Sequence, residues 1–331
     1  MKAEHILFLS ARDVRELLSM DECIAAVERA FLLYGQGQTQ PPAVLGLHVR
    51  DGGFHIKAGV LPLGRKYFAA KVNANFPDNR ARLALPTIQG VIILCDAENG
   101  VPLAVVDSRD ITSLRTGGAT AVAAKYLARP GSRTVTICGC GTQGRTQLAA
   151  ITRFFPLEEV FAYDNSPDRA ADFARELSLQ WNILIQPTDD LFASLQASDI
   201  CITCTTSQKA FISERDVRPG IFIAAVGADN PLKQEIHPSL LSRSKIVCDI
   251  TEQCAVMGDL HHALKAGIVK HADVYAELGV IVAGKKPGRE SAEEIIVFDS
   301  TGMALQDVAA TATVYEKALR EKAGTFLPLA A

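Results

Sequence analysis

The segment 134–144 reads TVTICGCGTQG, and it decides the fold of the chain. Its β-branched apolar start predicts a buried strand, its glycines follow at the spacing Gly-x-Gly-x-x-Gly, and the next run, 145–154 (RTQLAAITRF), predicts a helix. In this order the first glycine makes a tight turn, the second lets the backbone approach a pyrophosphate, and the third lets the helix pack on the strand. The segment therefore predicts a dinucleotide site with contacts from Gly139, Gly141, Thr142, Gln143 and Gly144.

Asp164 is the predicted partner of this glycine turn. The run 160–164 (VFAYD) predicts the next strand, and Asp164 follows the last glycine by about 20 residues, the usual separation in dinucleotide sites. A carboxylate at this place accepts hydrogen bonds from the adenosine ribose and repels a 2′-phosphate, so NAD is expected rather than NADP. Arg169 lies nearby in the sequence and weakens that preference. A glycine turn beside an unrelated surface aspartate is the alternative.

The segments around the motif predict an α/β fold. Between about 133 and 300, short apolar runs alternate with helical runs, which is typical of a Rossmann-type, doubly wound parallel sheet. From about 44 to 107 the hydrophobic period is two, which predicts an antiparallel sheet. The residues 5–37 predict one strand and two helices, the second of them capped by Asp21.

The length of the chain indicates two domains. One hydrophobic core usually stops growing at about 250–300 residues, and this chain has 331. The tail after Gly302 is helical by composition, and we expect it to pack back on the N-terminal part. We therefore predict an α+β domain from residues 1–127 plus 303–331 and a nucleotide-binding domain from residues 128–302.

Composition excludes several classes of function. The chain is 48% hydrophobic and 21% charged with a formal net charge of −3, so it lacks the basic excess that nucleic-acid binding requires. Its apolar runs are shorter than the about 20 residues of a membrane span, and its start has no signal-peptide pattern. We expect a cytoplasmic protein without a membrane partner. The eight cysteines lie in or beside apolar stretches, which favours free, mostly buried thiols.

No metal site is predicted. Cys201 and Cys204 have CxxC spacing, but no second pair or His cluster stands near them, and the run DICITCTT is typical of a buried strand. His261 and His262 are adjacent, so one helix face cannot present both rings.

Three charged residues are candidates for substrate binding or catalysis. Asp229 follows a buried strand in a Gly/Asn/Pro loop, where a carboxyl group can exchange a proton with a substrate nitrogen or can simply form a turn. Lys71 lies on an apolar strand, and Arg115 opens a helix rich in small residues. Buried cations need anionic partners. A substrate carboxylate or a cofactor phosphate can supply them, and an internal ion pair is the alternative.

Six motifs in order along the chain resemble those of the ornithine cyclodeaminase/μ-crystallin family, and most of all its archaeal-type alanine dehydrogenase branch. They are AAKVN (69–73), LPTIQGVIILCDAENGVPLAVVDS (85–108), SLRTGGAT (113–120), GCGTQG (139–144), GADNPLKQEI (227–236) and EEIIVFDSTGMALQD (293–307). The resemblance implies an enzyme that is a homodimer, with the N-terminal domains pairing through antiparallel sheet. It implies that the first domain serves substrate binding and dimerisation and that catalysis occurs in the cleft between the two domains.

The same resemblance implies roles for single residues. Lys71 matches the family lysine that polarises the substrate carboxylate or carbonyl, Arg115 the carboxylate-binding arginine, and Asp229 the general acid/base. Further cofactor contacts are implied for Thr116, Thr205 and Gly227.

The sequence departs from the family pattern at one place. Where the alanine dehydrogenase-like and cyclodeaminase patterns have an arginine leading into Met-Pro-Ala, this chain reads His55-Ile56-Lys57-Ala58-Gly59. His55 and Lys57 share one face of a strand, so Lys57 or a protonated His55 is expected to replace the arginine in substrate binding. A point-charge ammonium does not reproduce a bidentate guanidinium. The alternative is that both residues line the barrel or the dimer interface.

The leading hypothesis is an NAD-dependent oxidoreductase that moves a hydride at the α-carbon of a small amino, imino or keto acid, such as alanine/pyruvate or proline/pyrroline-2-carboxylate. The nearest rival is an ornithine or lysine cyclodeaminase, in which NAD oxidises the substrate, ammonia leaves on cyclisation and the same hydride returns. Net consumption of NADH separates these two. A non-catalytic binding protein of the μ-crystallin kind is the third hypothesis, and the joint presence of Lys71, Arg115 and Asp229 argues against it.

Overall fold

The structure, a computed structural model, describes residues 5–329 apart from the side chain at position 80. Strands and helices alternate along most of the chain. The strands are β1 (His5–Leu9), β2 (Ala43–Val49), β3 (Gly52–Leu63), β4 (Arg65–Asn75), β5 (Ile88–Asp96), β6 (Pro102–Asp107), β7 (Thr134–Cys138), β8 (Glu159–Tyr163), β9 (Leu184–Thr188), β10 (Ile200–Thr203), β11 (Phe222–Ala225), β12 (Lys245–Cys248), β13 (Val274–Glu277), β14 (Ile296–Asp299) and β15 (Thr325–Pro328). The helices are α1 (Ala11–Leu17), α2 (Met20–Gly35), α3 (Asn79–Leu83), α4 (Ser108–Leu127), α5 (Thr142–Ile151), α6 (Pro167–Trp181), α7 (Leu191–Ala197), α8 (Pro238–Leu241), α9 (Thr251–Met257), α10 (Asp259–Lys265), α11 (Leu278–Val282) and α12 (Ala304–Glu321).

The chain divides into two compact units. The first unit holds residues 5–115 and 303–329, and the second holds residues 116–302. The prediction placed the boundary after residue 127, whereas these units divide after Arg115, inside the continuous helix α4. The sequence prediction ended the first domain with the helical run, whereas the division falls within that run, just before Gly117 and Gly118.

The first unit is built on a seven-stranded sheet in the order β15-β1-β6-β5-β4-β3-β2. Strands β2 to β6 pair antiparallel, as the two-residue period predicts, while β1 joins β6 in parallel and makes the sheet mixed. Helix α12 packs on α2, β3 and β4. The helix comes close at Gly59 of β3, where a Cβ atom would lie 2.7 Å from Cδ2 of Leu305. One face of β3 and β4 is therefore covered by the start of α12.

Two local features of the first unit differ from the prediction. Helix α2 begins after Ser19, not at Asp21: Glu22 N donates to Ser19 Oγ over 3.3 Å, and Ser19 N donates to Glu22 Oε2 over 2.9 Å. These reciprocal bonds form a capping box, which satisfies two amides at once and fixes the start of the helix. The tail also adds strand β15, which pairs antiparallel with β1, whereas its composition predicted only helix.

The second unit is built on an eight-stranded sheet in the order β13-β12-β14-β11-β10-β7-β8-β9, with every pairing parallel. Strands β10, β11 and β14 are buried at every position, so both faces of the sheet are covered. The chain runs from β7 to β8 and β9 on one side and then returns to β10 on the other. The switch point is therefore beside β7, where doubly wound sheets bind ligands at the carboxyl ends of their strands.

Within residues 5–329, no helix is both long enough and apolar enough to cross a membrane.

Candidate cofactor and substrate sites

The glycine turn follows β7 in the second unit, at the switch point. Gly139 has φ +106°, a conformation open to glycine and few other residues. At Gly144 a Cβ atom would lie 2.2 Å from the carbonyl oxygen of Gly139, so helix α5 can pack here only with glycine. Gly141 is the N-cap of α5 without a side-chain hydrogen bond, and a Cβ there would meet no described atom within 4 Å. This open, uncapped helix start can hold a pyrophosphate.

Asp164, just beyond β8, is tied to that turn. Its Oδ2 accepts from Cys140 N and its Oδ1 accepts from Ser166 N, each over 2.9 Å. Two backbone bonds fix the carboxylate, and each oxygen keeps a lone pair for a hydroxyl donor. The residues present therefore fit a dinucleotide whose ribose hydroxyls bind Asp164. Thr142 and Gln143 lie in the first turn of α5, beside this site.

Glu235 is a buried carboxylate of the second unit that the sequence prediction missed. Thr205 donates to its Oε1 through N and Oγ1, each over 2.6 Å. Thr203 Oγ1 (2.7 Å) and Gly227 N (2.9 Å) donate to Oε2. Burial raises the pKa of Glu235, and these hydrogen bonds oppose that rise. The carboxylate thus joins the ends of β10 and β11 and holds the loop that follows.

Glu235 also changes how Thr205 and Gly227 are understood. A Cβ at Gly227 would lie 2.5 Å from the Glu235 carboxylate, so the close approach of that carboxylate explains the glycine. Thr205 donates hydrogen bonds to Glu235 from both its amide and its hydroxyl group. Thr116, in α4, accepts a hydrogen bond at its carbonyl from Thr120 Oγ1 over 3.4 Å. Cofactor contacts by Thr116, Thr205 and Gly227 stay predictions.

Asp229 lies in the loop after β11, two residues beyond Gly227. Its side chain is 46% exposed and pairs with Lys233, with 2.7 Å between Oδ1 and Nζ. An accessible carboxylate at the carboxyl end of a central strand can exchange a proton with a ligand bound there.

A cluster of buried cations lies in the first unit, on the sheet face that α12 covers. Lys57 of β3 and Lys71 of β4 are directly opposite each other in the antiparallel pairing, and they are 8% and 3% exposed. Arg115 of α4 is 6% exposed. His55 lies two residues before Lys57 on the same face, opposite Asn73, and is half-buried. Like charges directly opposite on a sheet destabilise it, so the cluster requires an anion.

Asp307, in the first turn of α12, is that anion, and it was not among the predicted site residues. Its Oδ1 accepts from Lys71 Nζ over 2.8 Å and from Arg115 Nε over 3.1 Å. Beside it, Gln306 Oε1 accepts from Arg115 Nη1 over 3.3 Å. Both residues stand in the motif EEIIVFDSTGMALQD, which was the available signal, but nothing in the motif indicated which cations they face.

Burial and the neighbouring charges set the protonation of this cluster. Burial, together with the charges of Arg115 and Lys57, lowers the pKa of Lys71 to about 7, and Asp307 opposes this fall. Burial works to raise the pKa of Asp307, but Lys71 and Arg115 outweigh it and hold that pKa below its usual value. The cluster therefore carries an ionised carboxylate and a lysine that changes charge near neutral pH.

The cysteines behave as core residues. All eight are free thiols, and six of them are buried. Cys201 lies in the buried strand β10, and Cys204 Sγ donates to the carbonyl oxygens of Cys138 and Gly139 over 3.4 and 3.3 Å. Within the described part of the chain, no group of three or more His, Cys, Asp or Glu side chains could hold a metal ion.

Comparison with known proteins identifies the family. The profile of the ornithine cyclodeaminase/mu-crystallin family matches residues 4–322. The chain belongs to this family. It is 40% identical over 324 residues to the alanine dehydrogenase of Archaeoglobus fulgidus, covering 96% of this chain and 97% of that protein. The predicted family and its archaeal alanine dehydrogenase branch are confirmed.

Two solved structures of the family share the fold. An archaeal alanine dehydrogenase dimer with bound NAD has a TM-score of 0.94 at 39% identity, covering 98% of this chain and 100% of that one. The Δ1-pyrroline-2-carboxylate reductase of Thermococcus litoralis, in complex with NADH and L-proline, has a TM-score of 0.91 at 34% identity, covering 97% and 99%. The predicted fold class is confirmed.

Proposed function

We propose that this chain reduces a small α-imino acid with NADH, including the imine formed from an α-keto acid and ammonia, and oxidises the matching amino acid with NAD. The predictions of an NAD-dependent oxidoreductase of amino or imino acids, and of NAD as its cofactor, are confirmed by the relatives. The observation that carries the finer proposal is the buried Lys71–Asp307–Arg115 cluster, because it is built to hold carboxylates. A cytoplasmic location stays a prediction.

Lys71 and Arg115 are the proposed binding residues for the substrate carboxylate. Together they bring two cations to the single carboxylate of Asp307, so among these three side chains one positive charge remains when Lys71 is protonated. A substrate carboxylate balances that charge, and an anion held next to Lys71 favours its protonated form. In the same way we assign Lys57 and His55 to substrate binding. The charge of Lys57 acts on both Lys71 and Asp307, which supports this role over an interface role.

Asp229 is the proposed acid/base at the substrate nitrogen. The bound nicotinamide supplies or accepts the hydride at the α-carbon. Reduction of an imine also requires a proton at nitrogen, and oxidation of an amine requires its removal. Asp229 is a half-exposed carboxylate on a loop whose base is held by Glu235, so it can take up and release that proton. Lys71 polarises the carboxylate or carbonyl end of the substrate.

A substrate panel tests the proposal. We expect purified protein to consume NADH with pyruvate plus ammonia or with pyrroline-2-carboxylate, and the absorbance of NADH at its characteristic wavelength measures the rate. Piperideine-2-carboxylate, and oxaloacetate plus ammonia, extend the panel to a larger ring and to a second carboxylate. NAD with ornithine is the contrasting arm. Release of ammonia from ornithine without net NADH change would identify a cyclodeaminase, and failure of every compound would favour a binding protein.

We further propose that the chain is a homodimer through the outer face of the first unit's sheet. That face, opposite to the one under α12, exposes large apolar side chains on three strands. They are Leu45 and Leu47 of β2, Phe54 of β3, and Val91 and Ile93 of β5, between 37% and 52% exposed. An exposed apolar patch of this kind marks an interaction surface. The relative with a TM-score of 0.94 is described as a dimer, and antiparallel sheets that leave one face uncovered can bury it against a second copy.

Ile93→Glu is expected to convert the dimer to monomers at micromolar concentration, because a charge buried in an apolar interface has no partner there. Light scattering coupled to size exclusion measures the mass against the 35.6 kDa chain. Leu179→Glu is the control, since Leu179 is an apolar residue of α6 that is 84% exposed. A monomeric wild type, or an Ile93→Glu variant that remains dimeric, would contradict the proposal.

A further inference from the structure

Gln306 carries a buried donor whose purpose the fold alone does not explain. The residue is 0% exposed, and its Nε2 atom makes no hydrogen bond to any described residue. Its Oε1 accepts from Arg115 Nη1. Because a guanidinium can only donate, the oxygen of the amide must face Arg115, and the nitrogen must point elsewhere. Buried donors without a partner cost free energy and call for an explanation.

The unpaired donor belongs to the cation cluster. Arg115 donates to Gln306 through Nη1 and to Asp307 through Nε. These two adjacent residues in the first turn of α12 therefore bind the same guanidinium. Lys71 reaches the same Asp307 oxygen. An anion held by Lys71 and Arg115 therefore lies beside the Gln306 amide, whose nitrogen and oxygen share one carbon.

A second unpaired atom in the cluster indicates the chemistry of the missing partner. Oδ2 of Asp307 is buried and accepts no hydrogen bond from residues 5–329. The cluster thus offers one donor and one acceptor, both shielded from water. An α-imino or α-amino acid carries the complementary pair on neighbouring groups, a carboxylate oxygen and an N–H, whereas a simple anion carries only the first.

We propose that Gln306 is a substrate-binding residue that donates a hydrogen bond from Nε2 to the carboxylate of the α-imino or α-amino acid. This inference rests on the proposed function, because it assigns a third donor to the same carboxylate that Lys71 and Arg115 bind. A neutral donor adds a directed bond without adding a third charge to the site.

Two variants test the proposal. Gln306→Met keeps the length of the side chain and removes the donor, so KM for the imino acid should rise about tenfold, the loss of one hydrogen bond to a charged group. Gln306→Glu keeps an oxygen for Arg115 but places a carboxylate oxygen where the donor was, so KM should rise further. The affinity for NADH, measured by fluorescence titration, should stay within twofold in both, which also verifies that the second unit is intact.

Gln306→Glu separates substrate binding from a structural role. If Gln306 only anchored Arg115, the glutamate would strengthen that contact, and KM would stay unchanged or fall. Thr311→Val is the matched control: Thr311 is fully buried five residues further along α12, its Oγ1 also has no hydrogen-bond partner among residues 5–329, and valine has the same shape. We expect the control to leave KM within twofold and the unfolding temperature unchanged or higher.

The outcomes distinguish this inference from the proposed function. Wild-type turnover with an unchanged KM in Gln306→Glu would overturn the role of Gln306 alone. A wild type that turns over no compound of the panel would overturn the proposed function and this inference with it.

Discussion

Asp229→Asn is expected to lower kcat for imine reduction about 10²–10⁴-fold, the usual contribution of a positioned acid or base. Asparagine keeps the shape of the side chain but cannot carry the proton that the substrate nitrogen gains or loses. Because Asp229 is half-exposed in a loop and its ion pair with Lys233 joins residues of the same loop, the substitution should leave stability and NADH affinity almost unchanged. Steady-state rates over a pH series, with an NADH titration, measure both.

Asp172→Asn is the matched control for this prediction. Asp172 is 52% exposed on α6 and pairs locally with Arg175, with 2.6 Å between Oδ1 and Nη2. It therefore shares the exposure and the short-range ion pair of Asp229 without its place after a central strand. We expect Asp172→Asn to keep wild-type kcat. A kcat for Asp229→Asn within threefold of wild type would remove Asp229 from the catalytic group.

The cofactor half of the fold could be predicted because its signals are local. Gly139, Gly144 and Asp164 act within one strand-turn-helix-strand unit, and their spacing states which backbone must turn or approach. The parallel sheet followed from uninterrupted apolar runs, which only a strand buried on both faces requires. Local chemistry of this kind is visible in one sequence.

The anionic half of the substrate cluster could not be predicted because its partners are distant in the chain. Lys71 and Asp307 are separated by 236 positions, and Arg115 and Asp307 by 192. Asp307 stands in a helix of alanines and β-branched residues, where one acid could equally face solvent. Glu235 poses the same problem at shorter range, since a loop carries no period that shows which way its carboxylate points. The sequence could identify the buried cations as needing anions, but only the packing of α12 on β3 and β4 shows which acid supplies one.

The predictions for strand β15 and for the start of α2 were wrong for different reasons. The last strand is four residues long and exposed, so its apolar content resembles a frayed helix end until β1 is present to pair with it. The cap at Ser19 was readable, because Ser19 and Glu22 have the Ser-x-x-Glu spacing of a capping box. Residue type alone favours Asp21 as the cap, but the reciprocal bonds of Ser19 and Glu22 place the start of the helix after Ser19.

Asp307→Asn is expected to have the largest effect in the first unit. The substitution removes the carboxylate that Lys71 and Arg115 share and leaves their charges buried without it. Breaking a buried ion pair on one side costs about 3–5 kcal/mol, so the free energy of unfolding should fall by that order in urea titrations. Glu16→Gln, which breaks the exposed surface pair of Arg12 and Glu16, should leave the free energy of unfolding almost unchanged.

The pH profile of Asp307→Asn distinguishes a role in substrate binding from loss of stability alone. Burial lowers the pKa of Lys71 to about 7, and Asp307 is the group that opposes this fall, while Arg115 and Lys57 promote it. Since the carboxylate of the substrate binds the protonated lysine, wild-type kcat/KM should decline as pH rises through about 7 in the free enzyme. Without Asp307 the pKa of Lys71 drops further, so the decline should move to lower pH. The charges of Arg115 and Asp307 also affect the pKa of Cys23 in α2, but burial raises that pKa to about 12, so the thiol does not titrate in this range. In the Lys71→Met/Asp307→Asn double variant one buried cation is removed together with the acid, and the loss of stability should be smaller than the sum of the two single losses. A pH profile that keeps its position in Asp307→Asn would mean that Lys71 does not bind the substrate carboxylate as a cation.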